Sequence, residues 1–193
     1  MAQTQIASDF YSVEDYLALE AQATERSEYY NGEIFTMAGG TPNHNQISLN
    51  ISSELHHALK KKDFRVYMAD VKLWVPQRNS FLYPDVLVIK GEPELHDNSK
   101  DILLNPLAVI EVLSDSTKDY DRNGKFEQYR SLDSLQEYIL VSQDKAHIEY
   151  FKKTAPHEWV FKEIDGMDAL LELTTVEVAL EIADIYDKVE FEQ

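Results

Sequence analysis

A chain of 193 residues with a formal net charge of −17 and no cysteine has room for one sizeable core. Disulfides, thiolate catalysis and thiolate metal sites are excluded, so any metal centre must use oxygen ligands, with or without histidine, which suits Mg²⁺ or Mn²⁺. The excess of acid also argues against a protein that coats nucleic acid, because phosphate neutralisation by Lys and Arg supplies most non-specific affinity.

In chain order, residues 1–10 lack the basic region and apolar stretch of a signal peptide, and no run of 18 apolar residues follows anywhere. The expectation is a soluble, non-exported, cytoplasmic protein with no membrane partner. Ser12-Val13-Glu14-Asp15 has the form of a capping box opening a short helix to about Glu20, with Tyr16 and Leu17 facing inward. Asn31-Gly32 suits the positive φ angles of a two-residue hairpin turn between Ser27–Tyr30 and Glu33–Met37. Gly39 to Asn43 reads as a loop. Ile47, Ile51, Leu55 and Leu59 recur every fourth residue and predict an amphipathic helix from about His44 to Lys62.

Phe64 to Val75 alternates as one strand with a kink or bulge at Asp70. Leu82 to Ile89 and Leu107 to Leu113 are continuous apolar runs that read as central buried strands, joined by a polar surface connection from Lys90 to Asn105. Ser116 and Thr117 can cap a helix from about Lys118 to Arg130. Strands are expected over Leu135–Val141, Ile148–Phe151 and Trp159–Phe161, and a helix over Thr175–Tyr186. The fold class is therefore mixed α/β: a central sheet flanked by helices in a single domain, 1–193, with an N-terminal extension of about 1–40 and an acidic C-terminal segment of about 155–193.

Asp85 and Glu111 interrupt the two apolar runs. A buried carboxylate must be paired, hydrogen-bonded or bound to a cation, since desolvating it alone costs several kcal/mol. Two such strands side by side would make a divalent-metal site; otherwise Asp85 opens its strand at a solvated end and Glu111 meets an Arg or Lys. Asp121, Lys125 and Tyr129, each four apart, would on spacing alone be a solvated helix ladder. Residues 1–33 and 158–193 carry −6 and −9 of the charge, which leaves 34–157 nearly neutral and compatible with a phosphate-handling cleft.

The order Pro84-Asp85, then Glu111-Val112-Leu113-Ser114, then Asp121-x-x-x-Lys125-x-x-x-Tyr129, then Glu137-Tyr138, resembles the Uma-type restriction endonuclease family of the PD-(D/E)xK nuclease superfamily. Asn31-Gly32-Glu33, Met37, His44 and Asp70 extend the resemblance over roughly residues 10 to 150. It implies a restriction-endonuclease-like core, Asp85 and Glu111 as ligands of catalytic Mg²⁺ or Mn²⁺, DNA as substrate and a homodimer. The superfamily's usual lysine, two residues after the second acid, is Leu113 here; the resemblance points to Lys125 as its substitute. Glu33, His44 and Asp70 are possible supporting residues. His44 could otherwise be a cap-region hydrogen bond, Glu33 and Asp70 ordinary exposed acids, and Glu54 a surface acid or a helix carboxylate reaching the metal. Asp115 stands where the family's usual proline would be. A non-catalytic interaction module with the same fold, and a metal-dependent hydrolase of a small phosphorylated substrate, are the alternatives to a DNA endonuclease.

Overall fold

The computed structural model describes residues 4–5, 10–37, 39–97, 99–114 and 118–191. Among these, α1 (Val13–Glu20) begins at Ser12, whose hydroxyl accepts the Asp15 N–H while the Asp15 carboxylate accepts the Ser12 N–H. β1 (Thr4–Gln5) lies beside β3 (Glu33–Thr36), itself a hairpin with β2 (Ser27–Tyr30); Asn31 and Gly32 both have positive φ, as that turn requires. α2 runs over Pro42–Leu59. Its true cap is Thr41, whose hydroxyl accepts the His44 N–H at 3.1 Å, so the helix opens two residues before the apolar repeat predicts.

Two expected strands each divide in two. Phe64–Val75 becomes β4 (Phe64–Met68) and β5 (Lys72–Val75), broken at Ala69, which has a φ of 54°. Leu82–Ile89 becomes the end of β6 (Ser80–Leu82) and β7 (Val86–Lys90), broken at Tyr83–Asp85. The breaks are where the chain passes from one sheet to another, and they touch: the Ala69 N–H donates to the Asp85 carbonyl at 3.1 Å.

One sheet has the order β1-β3-β2-β6-β5-β8, with β8 (Ile102–Leu103) drawn from the connection expected to be surface loop. The other has β12-β11-β10-β9-β7-β4, where β9 is Ala108–Leu113, β10 Glu137–Ser142, β11 His147–Ala155 and β12 Glu158–Asp165. β9 and β10 run parallel and their other neighbours antiparallel, so the sheet is mixed. The α/β expectation holds, but among the described residues the strands form two six-stranded sheets and one two-stranded sheet rather than one central sheet.

The expected C-terminal helix is a strand followed by one helical turn. β13 (Leu170–Leu173) pairs with β14 (Val178–Glu181), and only α5 (Ile182–Ile185) is helical. Val178 and Leu180 are inward-facing partners two apart, and that period-2 signal was masked because Val178, Ile182 and Ile185 also fit helical spacing. This hairpin and α2 cover one face of the second sheet, burying Val86, Val88, Ile110 and Val112. Leu87, Ile89, Val109 and Leu113 face the opposite way, against Leu73, Leu82, Tyr129 and Tyr138. Tyr16, Tyr29 and Phe81 stack under α1 as a third cluster. Among the described residues no helix is long and apolar enough to cross a membrane.

The expected helix over 118–130 comprises α3 (Lys118–Tyr120), a π-helical turn (Asp121–Lys125) and α4 (Phe126–Tyr129). Its proposed caps, Ser116 and Thr117, lie outside the described residues, as does Asp115.

Candidate active site

Glu111 sits in the middle of β9, where all six residues are buried. Alternation along the strand gives it the face of Val109 and Leu113 rather than that of Ile110 and Val112. Asp85 stands two residues before Leu87, which shares that face, and β7 pairs antiparallel with β9. The Asp85 N–H points to Glu111 Oε2 at 3.4 Å, and the Val112 N–H donates to Asp85 Oδ2 at 2.7 Å. Because Asp85 lies at the crossing between sheets, its side chain keeps 20% of its exposure, whereas that of Glu111 keeps 3%. The pair therefore has one buried and one accessible carboxylate.

Lys125 comes to the same point from the π-helical turn. Its ammonium lies 3.2 Å from Glu111 Oε1, 3.3 Å from Glu28 Oε1 and 3.4 Å from Asp121 Oδ1. The Asp121–Lys125–Tyr129 ladder thus exists, but on the buried side of the segment, with Asn123 and Glu127 taking the solvent. Tyr129 donates its hydroxyl to Glu111 Oε1 at 2.7 Å and Tyr138 donates to the Asp121 carbonyl at 2.9 Å. Arg122 Nε donates to Glu149 Oε1 at 2.7 Å, tying the turn to β11. Gly124 is required locally, since a Cβ there would fall 2.5 Å from the Tyr120 ring. A π turn of this kind is a recurrent device for aiming a side chain at a functional site.

Charge and burial work against each other here. Burial pushes the Glu111 carboxyl well above the usual carboxylate range, and Asp85 and Asp121 add to this against the opposing pull of Lys125 and Tyr129. Burial also opposes the charge on Lys125, but Glu111, Glu28 and Asp121 outweigh it and hold the ammonium protonated well above its ordinary value. Desolvation raises Asp85 too; the hydrogen bond and charge of His44, then Lys125 and the Val112 N–H, overcome it and lower this carboxyl. Two neighbouring carboxylates pushed in opposite directions are a mark of a functional site.

His44 is in the first turn of α2, and its Nε2 lies 3.2 Å from Asp85 Oδ2. Burial lowers its affinity for a proton, and the bond to Asp85 more than restores it, so the imidazole is shifted upward. Asp70, by contrast, lies at the surface with its carboxylate on Arg26, and its backbone marks the strand crossing. Glu33 is half-buried at the start of β3, and Glu54 is half-buried on α2. The residue that sequence reasoning missed is Glu28. It accepts the Tyr83 N–H at 3.2 Å and pairs with Lys125, both distant in sequence, and it alternates with exposed Tyr30, so no local pattern marked it.

The donor set fits a hard divalent cation. Asp85 Oδ1 and Glu111 Oε2 are the oxygens with capacity left for one, and Asp121 Oδ1 is buried without a hydrogen bond. Among the described residues no three His, Cys, Asp or Glu side chains are arranged to hold an ion by themselves. Mg²⁺ sites of the kind completed by waters and substrate phosphates need only one or two carboxylates.

Residues 13–184 match the family model "Uma2: Putative restriction endonuclease". The chain is 37% identical over 164 residues to the uncharacterized protein sll1609 of Synechocystis sp., covering 85% of this chain and 93% of that protein. It is 33% identical over 175 residues to slr1290 of the same organism, covering 91% and 90%. A crystal structure described as "a putative nuclease belonging to DUF820" from Anabaena variabilis superposes with a TM-score of 0.74 at 19% identity, covering 93% of this chain and 99% of that one. The shared fold is restriction-endonuclease-like.

Proposed function

The chain belongs to the Uma2 family, and from that membership and the cluster around Glu111 we propose that it is a metal-dependent endonuclease hydrolysing DNA phosphodiester bonds. The observation that carries the reading is the charge balance of the cluster. Three carboxylates, Glu28, Glu111 and Asp121, surround one ammonium, Lys125, and a fourth, Asp85, lies beside Glu111 with His44 at the rim. Such an excess of buried negative charge favours a bound cation.

Asp85 and Glu111 would hold Mg²⁺ or Mn²⁺. When bound, the ion supplies polarisation of a phosphoryl oxygen and a lower pKa for its water. Lys125 offers a preorganised positive charge beside the carboxylates, where it would orient the attacking water and stabilise charge developing on the phosphoryl group. Tyr129 and Lys125 hold Glu111 Oε1, which directs Oε2 toward Asp85. His44, partly exposed and drawn toward its charged form beside Asp85, would donate to a phosphate oxygen in this reading. A two-fold assembly accompanies this reading, because cutting both strands of a duplex calls for two centres; sedimentation at high concentration showing only monomer would remove that part.

The test is a panel of linear, supercoiled and single-stranded DNA with Mg²⁺ or Mn²⁺. Cleavage that requires the ion and is lost in Asp85→Asn supports the reading. Stoichiometric ion binding with no cleavage of any substrate would favour the non-catalytic alternative, and cleavage of small phosphoesters alone would favour the third.

A further inference from the structure

The site just described has too much negative charge to attract a polyanion, and the molecule as a whole carries −17. A nuclease so built needs a positive surface elsewhere, and the structure has one. A cleft of about 380 Å³ lies where α2 ends and β4 begins, lined by His56, Lys60, Lys61, Lys62, Arg65 and Tyr67 among others, and by no carboxylate. Four of the chain's 18 Lys and Arg residues fall within Lys60 to Arg65, against Asp63 alone. Lys90 adds a fifth cation, being the cross-strand partner of Phe64, and Glu92, which pairs with Arg65, adds a second acid.

A helix C-terminus attracts cations through its dipole, and one lysine would satisfy that. Three consecutive lysines are more than a cap needs, and their backbone spreads them. Lys61 has a φ of 70°, so the chain turns out of the helix through the left-handed region and the three side chains do not stack on one helical face. Arg65 is held by the Gly91 carbonyl and the Glu92 carboxylate, which makes it a fixed edge of the cleft. Among the described residues the three lysine ammoniums form no ion pair.

The position of the cleft is set by two elements that also reach the site. α2 starts with His44 at Asp85 and ends at Lys60, roughly 24 Å away at the rise of an α-helix. β4 returns from Phe64 to Met68, whose partner is Val86, beside Asp85; at strand rise Phe64 to Ala69 spans about 17 Å. At 3.4 Å per base pair these spans are about five to seven base pairs.

We propose that this cleft seats backbone phosphates of duplex DNA about five to seven base pairs from the position acted on at Asp85 and Glu111, supplying the attraction that the acidic site cannot. The distance to the cut rests on the nuclease reading; the binding surface does not. Anisotropy titrations of a labelled 24-base-pair duplex in EDTA, from 20 to 200 mM salt, compare the full chain with the Lys60→Ala/Lys61→Ala/Lys62→Ala variant, both first checked for equal melting temperature. The expected result is a loss of affinity of about tenfold or more at low salt, with the slope of log affinity against log salt shallower by about 2 to 3, near 0.9 per phosphate contact removed. A parent that binds no duplex in EDTA, an unchanged slope in the variant, or lysine-dependent binding to anionic vesicles without binding to duplex would each overturn the proposal. Because no cleavage is read, failure of the nuclease reading leaves this result intact. If cleavage is found, duplexes cut back to about four base pairs on one side of the break should lose the parent's advantage over the variant; an advantage that survives the shortening would place the anchor elsewhere.

Discussion

At the scale of single residues the account turns on Lys125. Three buried carboxylates lie within 3.4 Å of its ammonium, so its removal acts on stability and on chemistry together. Lys125→Gln should lower turnover by about 10² to 10³, the scale of one preorganised charge donor, about 3–4 kcal/mol in the barrier. Metal affinity, measured separately by calorimetry, should persist, because Lys125 is not a ligand. Lys125→Arg should restore only part of the rate, since a planar fork cannot occupy the place of a point charge among Glu28, Glu111 and Asp121. Unchanged turnover in Lys125→Gln would reduce this residue to a structural ion pair. Glu111→Gln makes a complementary test. Burial pushes that carboxyl upward, so its ionised form is a burden to the metal-free fold, and the amide should leave the urea midpoint in EDTA equal or higher while abolishing stabilisation by Mn²⁺. An unfolding free energy lowered by about 2 kcal/mol or more would mean that the carboxylate is chiefly structural. Glu111 was legible in the sequence as a carboxylate in an apolar run, whereas the spacing around Lys125 alone reads as a solvated ladder and only the family resemblance points to that lysine. Glu28 was not legible, because its burial is imposed by Tyr83 and Lys125 from other parts of the chain.

Secondary-structure elements determine how accurately these groups are aimed. Gly124 allows the Tyr120 ring to lie against the π turn, and Gly124→Ala should cost about 1–3 kcal/mol, as overpacking does, and misplace Lys125 with it. A melting temperature and turnover equal to those of the parent would contradict that role. Thr41 both caps α2 and donates its hydroxyl to Gln143 Oε1 at 2.6 Å, so Thr41→Ala should cost about 1 kcal/mol or somewhat more, read by denaturant titration. Glu137 is buried and takes the hydroxyls of Tyr150, Thr174 and Thr175 and the Thr175 N–H, which fastens the β13–β14 hairpin to the second sheet. Local patterns predicted the capping box, the Asn31-Gly32 turn, α2 and the apolar strands, since each depends on neighbours in sequence. They could not show that Phe64–Val75 and Leu82–Ile89 change sheets midway, because both halves of each run remain apolar. Nor could they separate a strand from a helix where Val178, Leu180, Ile182 and Ile185 satisfy both periods.

Across the whole molecule, the two sheet crossings at Ala69–Val71 and Tyr83–Asp85 meet at one place, and this leaves Asp85 reachable from solvent while Glu111 stays inside. A cation entering from that side would reach the accessible carboxylate first and the buried one next. Net charge should act in the same direction: with −17 overall, metal-free protein is expected to gain stability as salt rises from 10 to 200 mM, more than a mutant lacking several terminal acids would. The most direct test of the central claim is isothermal titration of Mn²⁺ into the metal-free chain, set beside the same titration of Asp85→Asn. The account predicts one ion bound per chain in the parent, with stability rising by about 2.7 kcal/mol once the ion exceeds its Kd a hundredfold, and no binding in the variant. No heat in the parent, or binding undiminished by Asp85→Asn, would contradict it.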